Sequence, residues 1–106
     1  MSAKDFGSLF KQAQEMQSKM AEVQRDLAEK KVEVSTGGGM VKIVANGVNE
    51  IISVHIDDEL INMNDREVLE DLITGAINEV HRKVKELAQE EMTRFTGGIK
   101  IPGLFP

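Results

Sequence analysis

Residues 32–57, VEVSTGGGMVKIVANGVNEIISVHID, decide the fold. Gly37-Gly38-Gly39 is a loop in which positive φ costs little. Asn46-Gly47 is a strong hairpin signal, because a type I′ turn needs positive φ at both central residues. These two breaks leave three pieces rich in β-branched residues: Val32 to Thr36, Met40 to Ala45 and Val48 to Ile56. Alternation places Val32, Val34 and Thr36 on one face of the first strand and Val41, Ile43 and Ala45 on one face of the second, opposite Lys42. On the third strand Ile52, Val54 and Ile56 oppose Ser53 and His55. The prediction is a three-stranded antiparallel meander over residues 32–57, with one face that wants burial.

The flanks are helical. Upstream, over residues 1–31, Phe6, Leu9, Ala13, Met16, Met20, Val23 and Leu27 recur at alternating steps of three and four, a heptad seam widened by Phe10. The residues between them are mostly Lys, Gln, Glu and Ser. At about 1.5 Å per residue the helix is roughly 40 Å long, more than three strands can cover. Part of it must protrude, pack on the second helix or pair with another subunit. Downstream, Asp57 to Met63 reads as a short acidic connection anchored by Leu60 and Ile61. Asn64-Asp65-Arg66-Glu67 then reads as an N-cap with Glu at N3, opening a helix over residues 64–96. Its buried stripe is predicted as Leu69, Ile73, Ala76, Ile77, Val80, Val84 and Leu87, beside Val68 and Leu72. Gly75 within it implies close approach of another backbone, in the sheet or a partner chain. Gly97-Gly98 stops the helix, and residues 97–106 form an apolar tail with two prolines. The order predicts a single two-layer α+β domain over residues 1–106.

Composition narrows the function. With four aromatic residues, all Phe, and a thin core, burial against a second copy is favourable. The absence of cysteine fits a cytoplasmic protein. The N-terminus has no continuous apolar segment of a secretory signal, and no run spans a membrane. The net charge is −5, but residues 50–71 carry eight acids against Arg66 alone. The remaining residues therefore hold twelve bases and ten acids. Acids early in a helix are favoured by its dipole, which accounts for part of that cluster.

Catalysis is not expected. His55 and His81 are the only histidines and lack metal-ligand spacing. Asp57-Asp58-Glu59 lacks the calcium-loop pattern. The glycine loop opens a strand, not the helix N-terminus of a phosphate loop. No cofactor and no metal site is predicted. A sheet without aromatics argues against base stacking, and no helix-turn-helix pattern is visible.

The chain resembles the YbaB/EbfC family of bacterial nucleoid-associated proteins. The resemblance runs through residues 9–20, LFKQAQEMQSKM, and through Gly39-Met40-Val41-Lys42-Ile43 leading to Asn46-Gly47. It continues in Val54-His55-Ile56-Asp57 with Leu60, and in Leu69-Glu70-Asp71-Leu72-Ile73 with Ala76-Ile77-Asn78. It ends in Gly97-Gly98 and Pro102-Gly103. No single motif is specific; their order and spacing are. The resemblance implies a homodimer whose helices project as paired arms and bind double-stranded DNA in the nucleoid, altering DNA conformation and gene expression. It also implies a link to recombination or repair proteins.

Duplex binding needs Lys and Arg at phosphates. The candidates are Lys4, Lys11, Lys19 and Arg25 on the first helix, with Arg82, Lys83, Lys85 and Arg94 on the second. Lys4, Lys11 and Lys19 recur at intervals of seven and eight and so lie near one face. Arg82-Lys83-Val84-Lys85 is the densest cluster. The alternative is that these bases are the solvated side of amphipathic helices, with Glu22, Glu29, Glu86 and Glu90 within pairing reach. On that alternative the heptad seam, the apolar tail and acidic residues 50–71 make a protein-interaction module.

Overall fold

The computed structural model of the chain describes the backbone of residues 3–95 and the side chains of residues 5–95. The order is α1 (Ala3–Glu29), β1 (Lys31–Thr36), β2 (Val41–Asn46), β3 (Ile51–Ile56), α2 (Asp58–Asn62) and α3 (Arg66–Phe95). The strands form one antiparallel sheet in the order β1-β2-β3. Val34 pairs with Ile43 and Thr36 with Val41 on one side of β2, and Ile43 pairs with Val54 and Val41 with Ile56 on the other. Gly37, Gly38 and Gly39 all take positive φ, as the first turn requires.

One layer of helix covers two of the three strands. Val32, Val34, Val41, Ile43 and Ala45 are buried against Ala76, Val80 and Val84 of α3, with Leu60 of α2 filling the end. The Thr36 hydroxyl donates to the Leu72 carbonyl at 2.7 Å and ties β1 to α3. The covered face reaches β3 only at Ile56, short of the sequence expectation. Ile51, Ile52 and Val54 are 49%, 52% and 51% exposed, because α3 crosses β1 and β2 instead. Ile77, expected in the buried stripe, and Ile61, expected to anchor the connection, are exposed as well.

The second turn also departs from the sequence reading. Gly47 does not take positive φ; Asn49 does, and β3 begins at Ile51, not Val48. The buried Asn46 side chain organises this loop. Its Oδ1 accepts from the amides of Val48 (3.1 Å) and Glu50 (3.0 Å), and its Nδ2 donates to Glu50 at 2.8 Å. Glycine is required at 47 for proximity: its N–H donates to the carbonyls of Leu27 (2.8 Å) and Lys30 (3.1 Å). A Cβ there would lie 2.5 Å from the Leu27 oxygen. On β3, Val44 pairs with Ser53 but Ala45 with Ile51, so Ile52 is an extra residue at a β-bulge.

Two helix starts differ from expectation. Asp57 caps a one-turn α2 by accepting from the Glu59 amide at 3.0 Å, where only a connection was predicted. Asn64 then sits at φ 51, and the cap of α3 is Asp65, which accepts from the Val68 amide at 3.2 Å. Asn tolerates the left-handed region and Asp supplies the acceptor, so the division follows from side-chain chemistry. Gly75 is not close to another strand's backbone; an added Cβ would meet only the Thr36 methyl at 3.6 Å.

The first helix leaves the body. Val23 and Leu27 are buried with Met92 of α3, flanked by Met20, Val48, Leu87, Ala88 and Phe95. Beyond Met20 toward the N-terminus, Phe6, Leu9, Phe10, Ala13 and Met16 are all exposed. The molecule is accordingly 72 Å long and about 20 Å across, with extents of 23 and 19 Å. The Gly97-Gly98 stop and the tail lie outside the described residues.

The two glycines make opposite predictions. Gly47→Ala should destabilise by about 1–3 kcal/mol, the range for a steric insertion into a packed site. Gly75→Ala should stabilise by up to about 1 kcal/mol through helix propensity. Urea denaturation of both variants checks this; loss of stability in Gly75→Ala would mean that a second chain packs there.

Candidate nucleic-acid interface

Seven of the eight predicted bases fall into two groups. Lys11 and Arg25 on α1 and Lys85 on α3 are exposed and make no ion pair among the described residues. At about 100° per residue, Lys11 and Arg25 project from the side of α1 away from Phe6, Leu9, Phe10, Ala13 and Met16. The backbone of Lys4 belongs to α1, but its side chain lies outside the described residues.

The other four are engaged. Arg82 is held by Glu79 at 2.6 Å and Glu86 at 2.9 Å, one turn behind and one ahead. The Arg82 guanidinium correspondingly lowers the Glu79 carboxyl's pKa below its ordinary value. Lys83 leans toward the sheet and donates to the Glu33 carbonyl of β1 at 3.1 Å. Arg94 pairs with Glu91 at 2.6 Å. The Lys19 ammonium sits 6.0 Å from the centre of the Phe95 ring, within cation–π range. The cluster at residues 82–85 therefore does not form one basic surface: Lys83 faces β1, while Arg82 and Lys85 point elsewhere around the helix.

Sequence spacing misses the interhelical member of this set. Glu91 is nearly buried and accepts from both Arg94 and Lys30, bridging α3 to the chain just after α1. Lys30 is 61 residues from Glu91, so no i,i+4 rule finds it. The Lys30 hydrogen bond is the main cause holding the Glu91 carboxyl below its ordinary value. Nearby, an open cleft of about 440 Å³ brings Lys30, Lys31, Arg82 and Lys83 together with Glu33, Glu86 and Glu90. Its mixed lining makes it a poor cradle for phosphate. On the outer face of the sheet Lys42 stands opposite His55, both exposed. No group of three or more metal-ligating side chains converges among the described residues. No helix among them is long and apolar enough to cross a membrane.

The fold is that of a crystal structure of an uncharacterized protein from Helicobacter pylori, with a TM-score of 0.74 at 23% identity. The match covers 91% of this chain and 98% of that one. At the level of sequence, residues 2–99 match the profile of the YbaB/EbfC DNA-binding family. A nucleoid-associated protein of Desulfotalea psychrophila is 46% identical over 100 residues, 94% of each chain. One of Thermoanaerobacter pseudethanolicus is 44% identical over 101 residues, 95% of this chain and 91% of the relative. The chain thus belongs to the YbaB/EbfC DNA-binding family, a family of DNA-binding proteins rather than enzymes.

The Glu91 bridge carries a pH prediction. Its folded-state pKa is depressed, so its stabilisation is fully present above the ordinary 4.5 and is lost as pH falls through the folded value. Melting temperature followed downward from about pH 5 should fall less steeply in Glu91→Gln than in the parent chain. Equal slopes would show that the bridge does not contribute.

Proposed function

We propose that this protein is a bacterial nucleoid-associated protein that binds duplex DNA as a homodimer, through phosphate contacts with weak sequence preference. The observation that carries this reading is the projecting half of α1. It holds Lys11, which makes no ion pair among the described residues, on the side away from its apolar stripe and clear of the body; Arg25 makes none either and lies toward the same side of α1, on the anchored part between Val23 and Leu27. Lys85 adds a third base, on α3, that makes no ion pair among the described residues. Contacts of this kind fix position on the duplex and carry little sequence information. Lys4, Lys19, Arg82, Lys83 and Arg94 remain in the proposed contact set. Lys19, Arg82, Lys83 and Arg94 must exchange an internal partner for a phosphate, so they contribute less.

The homodimer accounts for the uncovered apolar surface. Ile51, Ile52 and Val54 of β3, Ile61 and Met63 by α2, and Ile77 of α3 are all about half exposed. β3 is also an edge strand. Large exposed apolar surface marks an association site, and a self-complementary patch closes as a two-fold dimer. Two arms per assembly would grip one duplex, which is the route to altered DNA conformation and gene expression. The setting is the cytoplasm and its nucleoid. The alternative, a protein-interaction module serving recombination or repair proteins, draws on the four engaged bases and on the exposed acids of α2 and early α3.

Replacing Lys11, Arg25 and Lys85 together by Gln should weaken binding to a mixed-sequence duplex by at least about tenfold at low salt, without changing the sedimentation coefficient. Glu79→Gln with Glu86→Gln should release Arg82 and tighten binding. Val54→Lys with Ile77→Lys should yield monomers. Unchanged DNA affinity in the triple variant would move the reading to the interaction module.

A further inference from the structure

Asn46-Gly47 has a chemistry of its own. Of the five asparagines, only Asn46 precedes a glycine. In such a pair no Cβ shields the backbone nitrogen that follows the side-chain amide. The nitrogen of Gly47 can lose its proton and bond to Cγ of Asn46. The Cγ–Nδ2 bond then breaks and ammonia leaves. Water opens the resulting five-membered imide at either carbonyl, giving aspartate or isoaspartate. Water is the only co-reactant, and nothing is oxidised or reduced.

The fold restrains every atom this reaction needs. The Gly47 N–H is engaged by the carbonyls of Leu27 (2.8 Å) and Lys30 (3.1 Å). The Asn46 side chain is buried, and its Oδ1 accepts from the amides of Val48 and Glu50. Its Nδ2, the leaving group, donates to the Glu50 carboxylate at 2.8 Å. These restraints differ in origin. The side-chain contacts lie within residues 46–50, whereas the Gly47 nitrogen is held by another element, the end of α1. That end stays in place through Val23 and Leu27 packing on Met92. Its local opening requires less free energy than unfolding of the sheet.

Either product opposes return of the helix. Aspartate at 46 sets a second carboxylate where Nδ2 now meets Glu50. Isoaspartate adds one carbon to the main chain where residue 46 pairs with Lys31 and Gly47 meets Leu27.

We infer that Asn46 is a modification site, converted spontaneously to aspartate and isoaspartate when the end of α1 leaves Gly47 and withheld while that end is docked. The conversion runs one way, so it records undocking and then perpetuates it. This chemistry does not depend on DNA binding.

The test follows the intact mass of the full chain during incubation under mildly alkaline conditions. Each event adds about 1 Da, since –NH2 becomes –OH, and peptide mapping assigns it to residue 46 and separates the two products. The same chain unfolded in urea supplies the unprotected rate. The folded chain should convert at least about a hundredfold more slowly. Leu27→Ala and Met92→Ala, checked for folded sheet and helix by circular dichroism, should convert at least about tenfold faster than the folded parent. Met92→Ala decides the matter if Leu27→Ala does not fold, because Met92 lies outside the sheet core. Equal rates in the folded and unfolded parent would overturn the inference, as would a parent-like rate in folded Met92→Ala. Asn46→Asp, which reproduces one product, should exchange the amides of residues 23–29 faster than the parent does. Unchanged exchange there would also overturn it.

Discussion

The contact on which the structure depends is the one between Gly47 and the end of α1. The Gly47 N–H reaches the carbonyls of Leu27, which also accepts from the Lys30 amide, and of Lys30, just beyond the end of the helix. No side chain fits between them. This brings the β2–β3 loop under the last turn of α1 and lets Val23 and Leu27 bury against Met92. Truncating a buried leucine of this kind costs about 2–5 kcal/mol, so the seam is a substantial part of what fixes the helix. The Lys30–Glu91–Arg94 bridge holds the same junction from the other side. Because α1 is anchored only from Met20 onward, its first half becomes an arm.

On the proposed reading, the arm is how an acidic protein meets DNA. The net charge is −5, yet the acids of residues 50–71 sit at the sheet end of a 72 Å molecule. Lys11 lies about 24 Å along α1 from Leu27, well beyond the ~8 Å over which charges act at physiological ionic strength. Local sign therefore governs the encounter, not the total. On α3 the same principle works the other way. Glu79 and Glu86 take up Arg82 and Glu91 takes up Arg94, so of the densest basic run only Lys85 makes no ion pair or hydrogen bond among the described residues.

The sequence made the architecture legible where local chemistry and tertiary structure agree. The alternation in Val32–Val34 and Val41–Ile43–Ala45, the glycine turn at 37–39 and the over-long first helix all lead directly to what is observed. It misled where one residue serves two ends. Asn46-Gly47 has the signature of a type I′ turn, but here Asn46 caps its own loop through its side chain and Gly47 admits another helix. Neither role depends on the φ that the signature encodes. Ile77 and the β3 isoleucines read as core because periodicity reports that a face is apolar, not which element covers it. The site was less legible. The eight bases were visible as a set, but Lys30 with Glu91 and Lys83 with the Glu33 carbonyl are long-range pairings that spacing cannot anticipate.

The central claim is that bases of the two long helices with no internal partner among the described residues bind duplex phosphates. The most direct test is the affinity of the purified protein for a mixed-sequence duplex across a salt series, with its assembly state checked by sedimentation. If Lys11, Arg25 and Lys85 of two copies each neutralise a phosphate, log K should fall linearly with log salt with a slope of about −5. A slope near zero, or no binding at low salt by an intact dimer, would contradict the account.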